Sequence, residues 1–567
     1  MDIIKRRETC KTIKDVVLAN VGMTEEEFLI PKKEYNIELL TDAANIIKSF
    51  IKNNELITVV GDYDADGICA ASILKLTFNA LGARFAVRLP KRFSEGYGLS
   101  EKIVDEIDNG LLITVDNGIA AVDAIKKAKE KGLTVIVTDH HLAPEDGIIP
   151  NADIVIDPNA IPNSADFNGY CGAGIAYRLA IELIGTEHKI VPKLTSLAAI
   201  ATIADVMKLT DENRFIVKNG LSSMITYAGR TTGLGALLEK CDLNEYISEK
   251  NIAFKIGPII NAAGRLADDG AITSMETLSF NSSISKAKEM AERLYNINEE
   301  RKKLKEEGLN MVRENIRENC LFGDFPMTIY VPDLPEGLVG IFAGKIAEEF
   351  HTPCFVFTDS DEEGLIKGSG RTYGEINIKE LLDLNSSLIY KYGGHAEAAG
   401  ISIYKKDLEE FRYSLINSIN APDENDSNIV YYDIEINADE IDKAIEELDK
   451  FAPFGSGNPE VVFYVKNFEL SPGIGGYYRT MGDREQHIKL LGTKTVAIGF
   501  DMKDKYIQMG EPKTINIVGT ISKNYFRGKF TNQIEIVEIQ DANKKAIQKS
   551  AMASLLLKMA EERYKES

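Results

Sequence analysis

The chain has 567 residues, too many for one hydrophobic core and enough for about three or four domains of typical size. It is 44% hydrophobic and 27% charged, has no apolar run of transmembrane length, begins with polar sequence and carries six scattered cysteines without a CxxC pair. Together these features lead us to expect no membrane span, signal peptide, zinc ribbon or disulfide framework, and a cytoplasmic protein with reduced thiols. With 66 Lys and Arg against 87 Asp and Glu the net charge is −21, which argues against a protein that coats nucleic acid non-specifically but leaves room for a polynucleotide enzyme with a local basic groove.

Residues 1–45 alternate short helical patterns with charge and are expected to form a packing extension or lid. From residue 46 the pattern becomes βαβα: strands at 56–60, 84–89, 111–115 and 134–138, with helices at 67–81 and 120–131. Three of these strands end in polar clusters that begin with Asp. The first continues into Gly61-Asp62-Tyr63-Asp64-Ala65-Asp66-Gly67, the second into Asp116-Asn117-Gly118 and the third into Asp139-His140-His141. A parallel sheet delivers all its carboxyl ends to one edge, where open α/β sheets bind ligands. Buried carboxylates need a cation or donors, and imidazole mixed with carboxylate suits Mn²⁺ or a similar ion better than Ca²⁺. Asp205, a lone charge closing the apolar run 197–204, is a fourth carboxylate of the same kind.

Residues 210 to 325 read as helical, ending in a charged stretch (285–319) that carries Arg301 and is expected to be a solvated connector between two lobes. A second α/β unit follows, with strands at 327–331, 354–357 and 365–371, a helix at 340–350, and the glycine-rich words Gly368-Ser369-Gly370-Arg371 and Gly393-Gly394-His395-Ala396. From 428 to 540 short strands (429–436, 461–465, 487–491, 494–499, 514–522, 533–539) suggest a small barrel, with Tyr477, Tyr478, Arg479, Lys523, Tyr525, Phe526 and Arg527 interleaving aromatics and cations. Residues 541–567 read as an amphipathic terminal helix.

The four clusters Gly61–Gly67, Thr114–Gly118, Asp139-His140-His141 and Ala204-Asp205 resemble the four motifs of the DHH phosphoesterase superfamily. More narrowly, the words Arg92-Phe93-Ser94-Glu95-Gly96-Tyr97-Gly98, Cys171-Gly172-Ala173-Gly174, Asn261-Ala262-Ala263-Gly264-Arg265, Gly368-Ser369-Gly370-Arg371, Gly393-Gly394-His395 and Pro453-Phe454-Gly455-Ser456-Gly457-Asn458 resemble the RecJ single-strand-specific exonucleases. The resemblance implies an α/β fold of two lobes, a DHH parallel sheet and a DHHA1 domain, joined by a long connector helix and followed by a β-barrel OB-like domain. The expected division is 1–45 extension, 46–210 DHH, 211–325 connector, 326–425 DHHA1, 426–540 OB-like and 541–567 terminal helix.

It also implies a 5′→3′ exonuclease that hydrolyses single-stranded DNA to mononucleotides in repair and recombination, using two divalent ions, Mn²⁺ or Mg²⁺. Asp64, Asp66, Asp116, His140 and Asp205 would hold them, with Asp116 shared between both. His141 would act on the phosphate or leaving group and Asp139 would orient the His pair, while Asp62 would stand outside the ligand shell. Arg265, Ser369, Arg371 and His395 would contact the nucleic-acid backbone. A single-strand-binding protein and a helicase are the partners it suggests, and no membrane. Two departures stand out: Val60 occupies a position where many DHH enzymes have a metal-binding His, and Lys345 one where Arg is expected. The alternatives are a DHH enzyme for oligoribonucleotides or small phosphorylated substrates, and a catalytically silent DHH scaffold in a replication assembly.

Overall fold

The computed structural model describes residues 2–32, 35–144, 147–227, 232–419, 429–473, 476–482, 484–526 and 528–543. Two compact units emerge, one formed by Lys32–Glu424 and the other by Met1–Pro31 together with Asn425–Ser567. The chain therefore opens in the second unit with strand β1 (Asp2–Lys5) and crosses into the first before residue 40.

The first unit begins with a parallel sheet of β2 (Ile57–Val60), β3 (Phe85–Arg88), β4 (Leu111–Val115), β5 (Thr134–Thr138) and β6 (Ile154–Ile156), in the order β3-β2-β4-β5-β6. Every residue of β2 and β4 is buried, as expected for a parallel sheet covered on both faces. Val59, Ile113 and Ile136 face the helices Ala65–Leu81 and Gly172–Ile184, whereas Val60, Leu112 and Val137 pack against Glu101–Asp105 and Val122–Glu130 on the other face. After β2 the chain goes to one side to make β3 and to the other to make β4, so the crevice opens between the ends of β2 and β4. The edge strand β6 was not anticipated from the sequence; it adds a fourth strand end in Asp, at Asp157.

A single helix of 35 residues, Ile284–Glu318, runs from this lobe to the next. It is more than a solvated connector. Ala287, Ala291 and Leu294 enter the core under the parallel sheet, and Leu309, Val312 and Ile316 enter that of the following lobe. That lobe holds β7 (Met327–Tyr330), β8 (Cys354–Asp359), β9 (Leu365–Arg371), β10 (Lys391–Gly394) and β11 (Ala398–Tyr404), ordered β10-β11-β9-β8-β7, with only β7 and β8 parallel.

In the second unit β12 (Ile429–Tyr432) pairs with β1 in parallel. A seven-stranded sheet follows, built from β13 (Ile434–Asn437), β14 (Val462–Glu469), β15 (Tyr478–Met481), β16 (His487–Leu491), β17 (Thr495–Gly499), β18 (Thr514–Phe526) and β19 (Lys529–Asp541), in the order β13-β14-β18-β19-β17-β16-β15. The one strand expected at 429–436 is two, broken at buried Asp433, whose carboxylate accepts the Val462 N–H at 2.9 Å and meets Arg6 at 3.3 Å. Val16, Val17 and Phe28 share the core of this unit with Phe463, Val465 and Ile488. The helix Leu40–Lys52, by contrast, packs on the parallel-sheet lobe, so the expected boundary at residue 46 falls inside a helix. The expected terminal helix, beyond residue 543, and Arg527 lie outside the described residues. Among the described residues no helix is long and apolar enough to cross a membrane.

Candidate metal centre and nucleic-acid cleft

Asp64 is the N-cap of the helix Ala65–Leu81, its Oδ1 accepting the N–H groups of Asp66 at 3.0 Å and Gly67 at 3.1 Å. Asp66 points across to a different helix, where its two oxygens accept the N–H groups of Gly172 and Ala173, both at 2.7 Å. Asp62 is buried; its Oδ1 accepts the Gly98 N–H at 3.3 Å.

Asp116 follows β4 with φ of 62°, a left-handed conformation that turns its carboxylate into the crevice. Asn117 beside it stitches the site together. Its amide donates to the carbonyls of Val60 and Val115, and its Oδ1 accepts the Leu99 N–H. Tyr97 donates its hydroxyl to the Asp116 carbonyl at 2.9 Å and lies 3.1 Å from His141 Nε2.

Beyond β5, Asp139 orients both histidines: its Oδ1 accepts the His140 N–H at 2.8 Å and meets His141 Nδ1 at 2.7 Å, while its Oδ2 accepts the Ile119 N–H at 2.9 Å. His140 Nε2 then stands 3.1 Å from Asp116 Oδ1, 3.5 Å from Asp66 Oδ2 and 3.7 Å from Asp205 Oδ2. Ligand atoms of Asp66, His140 and Asp205 lie within 4.8 Å of one another, and so do those of Asp116, His140 and His141. Asp64 belongs to neither trio. The sequence reading missed Asp157 and Asn159 after β6, where Asp157 Oδ1 accepts the Asn159 N–H and the Asn159 amide donates to the His140 carbonyl at 2.5 Å. An Asp-Pro-Asn word after an apolar triplet was the available signal.

The electrostatics suit a divalent cation. Burial, then the neighbouring carboxylates, push Asp62 and Asp116 well above the ordinary carboxylate range and Asp205 up to about 8. Burial lowers His140, leaving it neutral and fit to ligate. Burial also works against a charged His141, but its hydrogen bond to Asp139 outweighs that and holds the ring at about 9. Asp116 Oδ1 and Asp62 Oδ2 are buried with no hydrogen-bond partner. Carboxylates raised in pKa, two of them with an oxygen short of donors, beside one neutral imidazole are what a cation of the Mn²⁺ type would satisfy. The Val60 side chain offers no ligand here, because it is buried with Ile103 and Val104 on the other face of the sheet, and only its carbonyl takes part, accepting the Asn117 amide.

Next to this cluster a cleft of about 600 Å³ is lined by Tyr63, Arg92, Arg265, Ser369 and Arg371 among others. Burial, and then Arg92, Arg301 and Arg371, lower Arg265 to about 10. None of these four arginines has a carboxylate ion-pair partner among the described residues. Arg265 donates to the Gly337 carbonyl, Arg371 to Ser369 Oγ and the Gly370 carbonyl, and Arg92 lies over the Tyr63 ring at 4.6 Å. Partly buried arginines without carboxylate partners suit a phosphate, although Glu336, paired with Lys367, and Glu362 also line the cleft. The sequence reading found Arg265, Ser369 and Arg371 but gave no part to Arg92, which lines the cleft from a loop, or to Arg301, which lies on the long helix close enough to act on Arg265. His395 stays apart from these residues, exposed in the turn between β10 and β11, and Lys345 is exposed and paired with Glu348 at 2.6 Å.

Comparison with known proteins gives three family matches: the DHH family, N-terminal domain, over residues 56–202; the DHHA1 domain over 326–421; and the RecJ OB domain over 432–538. The single-stranded-DNA-specific exonuclease RecJ of Haemophilus influenzae is 31% identical over 549 residues, covering 91% of this chain and 92% of that one. The protein of the same name from Bacillus subtilis is 31% identical over 520 residues, which span 88% of this chain and 63% of that longer one. The crystal structure of RecJ from Thermus thermophilus in complex with Mn²⁺ superimposes with a TM-score of 0.76 at 26% identity, covering 94% of this chain and 76% of that one.

Proposed function

This chain belongs to the RecJ family of DHH phosphoesterases, and from that premise we propose that it is a metal-dependent exonuclease specific for single-stranded DNA, working from the 5′ end and releasing mononucleotides in repair and recombination. The observation that carries the reading is a carboxylate and imidazole cluster beside four arginines that have no carboxylate partner among the described residues. Phosphodiester hydrolysis needs both, a centre that handles the attacking water and cations that hold the chain.

In this reading Asp64, Asp66, Asp116, His140 and Asp205 would hold Mn²⁺ or Mg²⁺, which would supply a lowered pKa for the attacking water and charge neutralisation on the phosphate. The Asp66 carboxylate is fixed by the Gly172–Ile184 helix, and the Asp116 backbone is held by the Tyr97 hydroxyl, which limits reorganisation during the reaction. His141, charged and anchored by Asp139, donates to the phosphate or to the leaving oxygen. Arg92, Arg265 and Arg371 grip the backbone of the terminal nucleotide without reading its base, so cleavage has little sequence preference and weakens as salt rises. Six unpaired cysteines support a reducing, cytoplasmic setting, and family membership supports a single-strand-binding protein and a helicase as partners.

The test compares wild type with Asp116→Ala on 5′-labelled and 3′-labelled single strands in Mn²⁺ and in Mg²⁺. We expect wild type to shorten strands from the 5′ end and the variant to be inert. Equal activity would remove the metal assignment, and shortening from the 3′ end would remove the polarity.

A further inference from the structure

A second cavity, of about 240 Å³, has His141 in its wall and shares no lining residue with the arginine cleft. Its walls are largely apolar (Tyr97, Leu99, Ile119, Ala121 and Leu142), the His141 ring forms one side with Asp139 and Asn117 beside it, and no Lys or Arg lines it. Leu142 is 78% exposed and Tyr97 49%, an unusual outlay of large apolar groups around a charged centre. The segment 92–99 separates the two spaces: Arg92, Phe93 and Gly96 line the arginine cleft, and Tyr97, Gly98 and Leu99 line the cavity. Tyr63 on the cleft side meets Tyr97 edge-on at 6.1 Å, and Tyr97 meets His141 edge-on at 5.6 Å, so one row of rings runs from the phosphate-gripping cations to the cavity.

We propose that this cavity is a nucleobase subsite for the residue 3′ of the scissile bond, a claim that rests on the exonuclease reading above. Phosphates are drawn to the arginines and would be drawn to a cation held by the carboxylates; a largely apolar space without Lys or Arg beside them suits the uncharged face of a base. With the 5′-terminal nucleotide held in the cleft, the strand passes the carboxylates and the second base drops between Leu142, Tyr97 and His141. Stacking there tolerates any base, and it positions the scissile phosphate from the side that the arginines do not reach.

The experiment measures kcat/KM on three single strands: unmodified, abasic at nucleotide 2, and abasic at nucleotide 6. Wild type is expected to lose about tenfold on the nucleotide-2 substrate alone. Leu142→Ala, an exposed change with no bearing on folding, and Ala121→Leu, which fills the cavity, should each lose about fivefold or more on the unmodified strand and little further on the nucleotide-2 abasic strand. If the nucleotide-2 abasic site costs wild type nothing, or if both variants lose as much on that strand as on the unmodified one, the subsite is overturned while the exonuclease reading stands. A wild type that releases no nucleotides from the unmodified strand defeats the exonuclease reading and the subsite with it.

Discussion

The carboxylate of Asp66 accepts the backbone N–H of Gly172 at 2.7 Å, and with its other oxygen it accepts that of Ala173. The helix Gly172–Ile184 has Cys171 at its N-cap and no cap bond from it, so Asp66 serves as a cap supplied from another element. One side chain thereby does two jobs. Asp66→Ala is expected to abolish nuclease activity and also to cost about 1–2 kcal/mol of stability in EDTA, where no metal contributes. Chemical unfolding in EDTA measures the second effect, and an unchanged midpoint would show that the cap is energetically idle.

Gly172 matters for a further reason. A Cβ there would sit 2.4 Å from Asp116 Cβ and 2.6 Å from its Oδ1. Gly172→Ala must therefore push Asp116 out of the crevice, and a displacement of that order costs on the order of 100-fold in rate. We expect near-native circular dichroism with activity and Mn²⁺ binding both impaired. Wild-type activity would show that the crevice can yield.

Metal and pH are linked through the raised carboxylates. Asp205, at about 8 in the folded protein against an ordinary 3.8, favours folding while it stays protonated, and that contribution is lost as pH rises towards 8. Asp62 and Asp116 act in the same direction. Metal-free protein should therefore lose stability between pH 5 and pH 8 through these groups. Mn²⁺ binds the ionised forms and reverses the trend, adding about 2.7 kcal/mol at a hundred times its dissociation constant. Thermal unfolding with and without Mn²⁺ should show a gap that widens with pH in wild type and shrinks in Asp116→Asn.

The arginines predict a salt signature. Arg265→Ala and Arg371→Ala should each lower the slope of log binding constant against log salt by about 0.7 for a single strand, if each removes one phosphate contact. Arg371→Lys keeps the charge but loses the bond to Ser369, and should fall between wild type and Ala. Binding titrations on a non-cleavable strand at several salt concentrations measure this; parallel slopes would mean that the cleft does not bind the backbone.

Stability of the second unit should depend on the first 31 residues. Phe28 is 1% exposed in the core that also holds Phe463 and Ile488. Phe28→Ala is expected to cost about 3–5 kcal/mol. Calorimetry should show an unfolding transition that moves down and is insensitive to Mn²⁺, with the Mn²⁺-dependent transition in place. A single transition that remains Mn²⁺-dependent throughout would show that the two units unfold together.

Much of the catalytic lobe was legible because its information is local. A fully apolar run followed by Asp defines a buried parallel strand and the end from which its charge emerges, and three such runs, at Asp62, Asp116 and Asp139, define one sheet edge before any distance is known. The strand order, which opens the crevice between β2 and β4, was not legible, and neither was the short edge strand before Asp157, whose three residues carry too little pattern to stand out.

The sequence by itself determined which residues are candidates for the chemistry, the carboxylates and imidazoles at strand ends and the arginine words, and the α/β, helix, α/β, β-rich order of the chain. Tertiary structure alone decided which of them share a space. It brought Arg92 and Arg301 to Arg265, set Asp66 against the helix of Gly172, left His395 outside the cleft, and gave the first 31 residues to the unit that contains the end of the chain. The reason is physical. Periodicity and capping act over a few residues and can be read along the chain, whereas buried charges and core contacts are satisfied between segments up to hundreds of residues apart, and only the folded packing determines those partners.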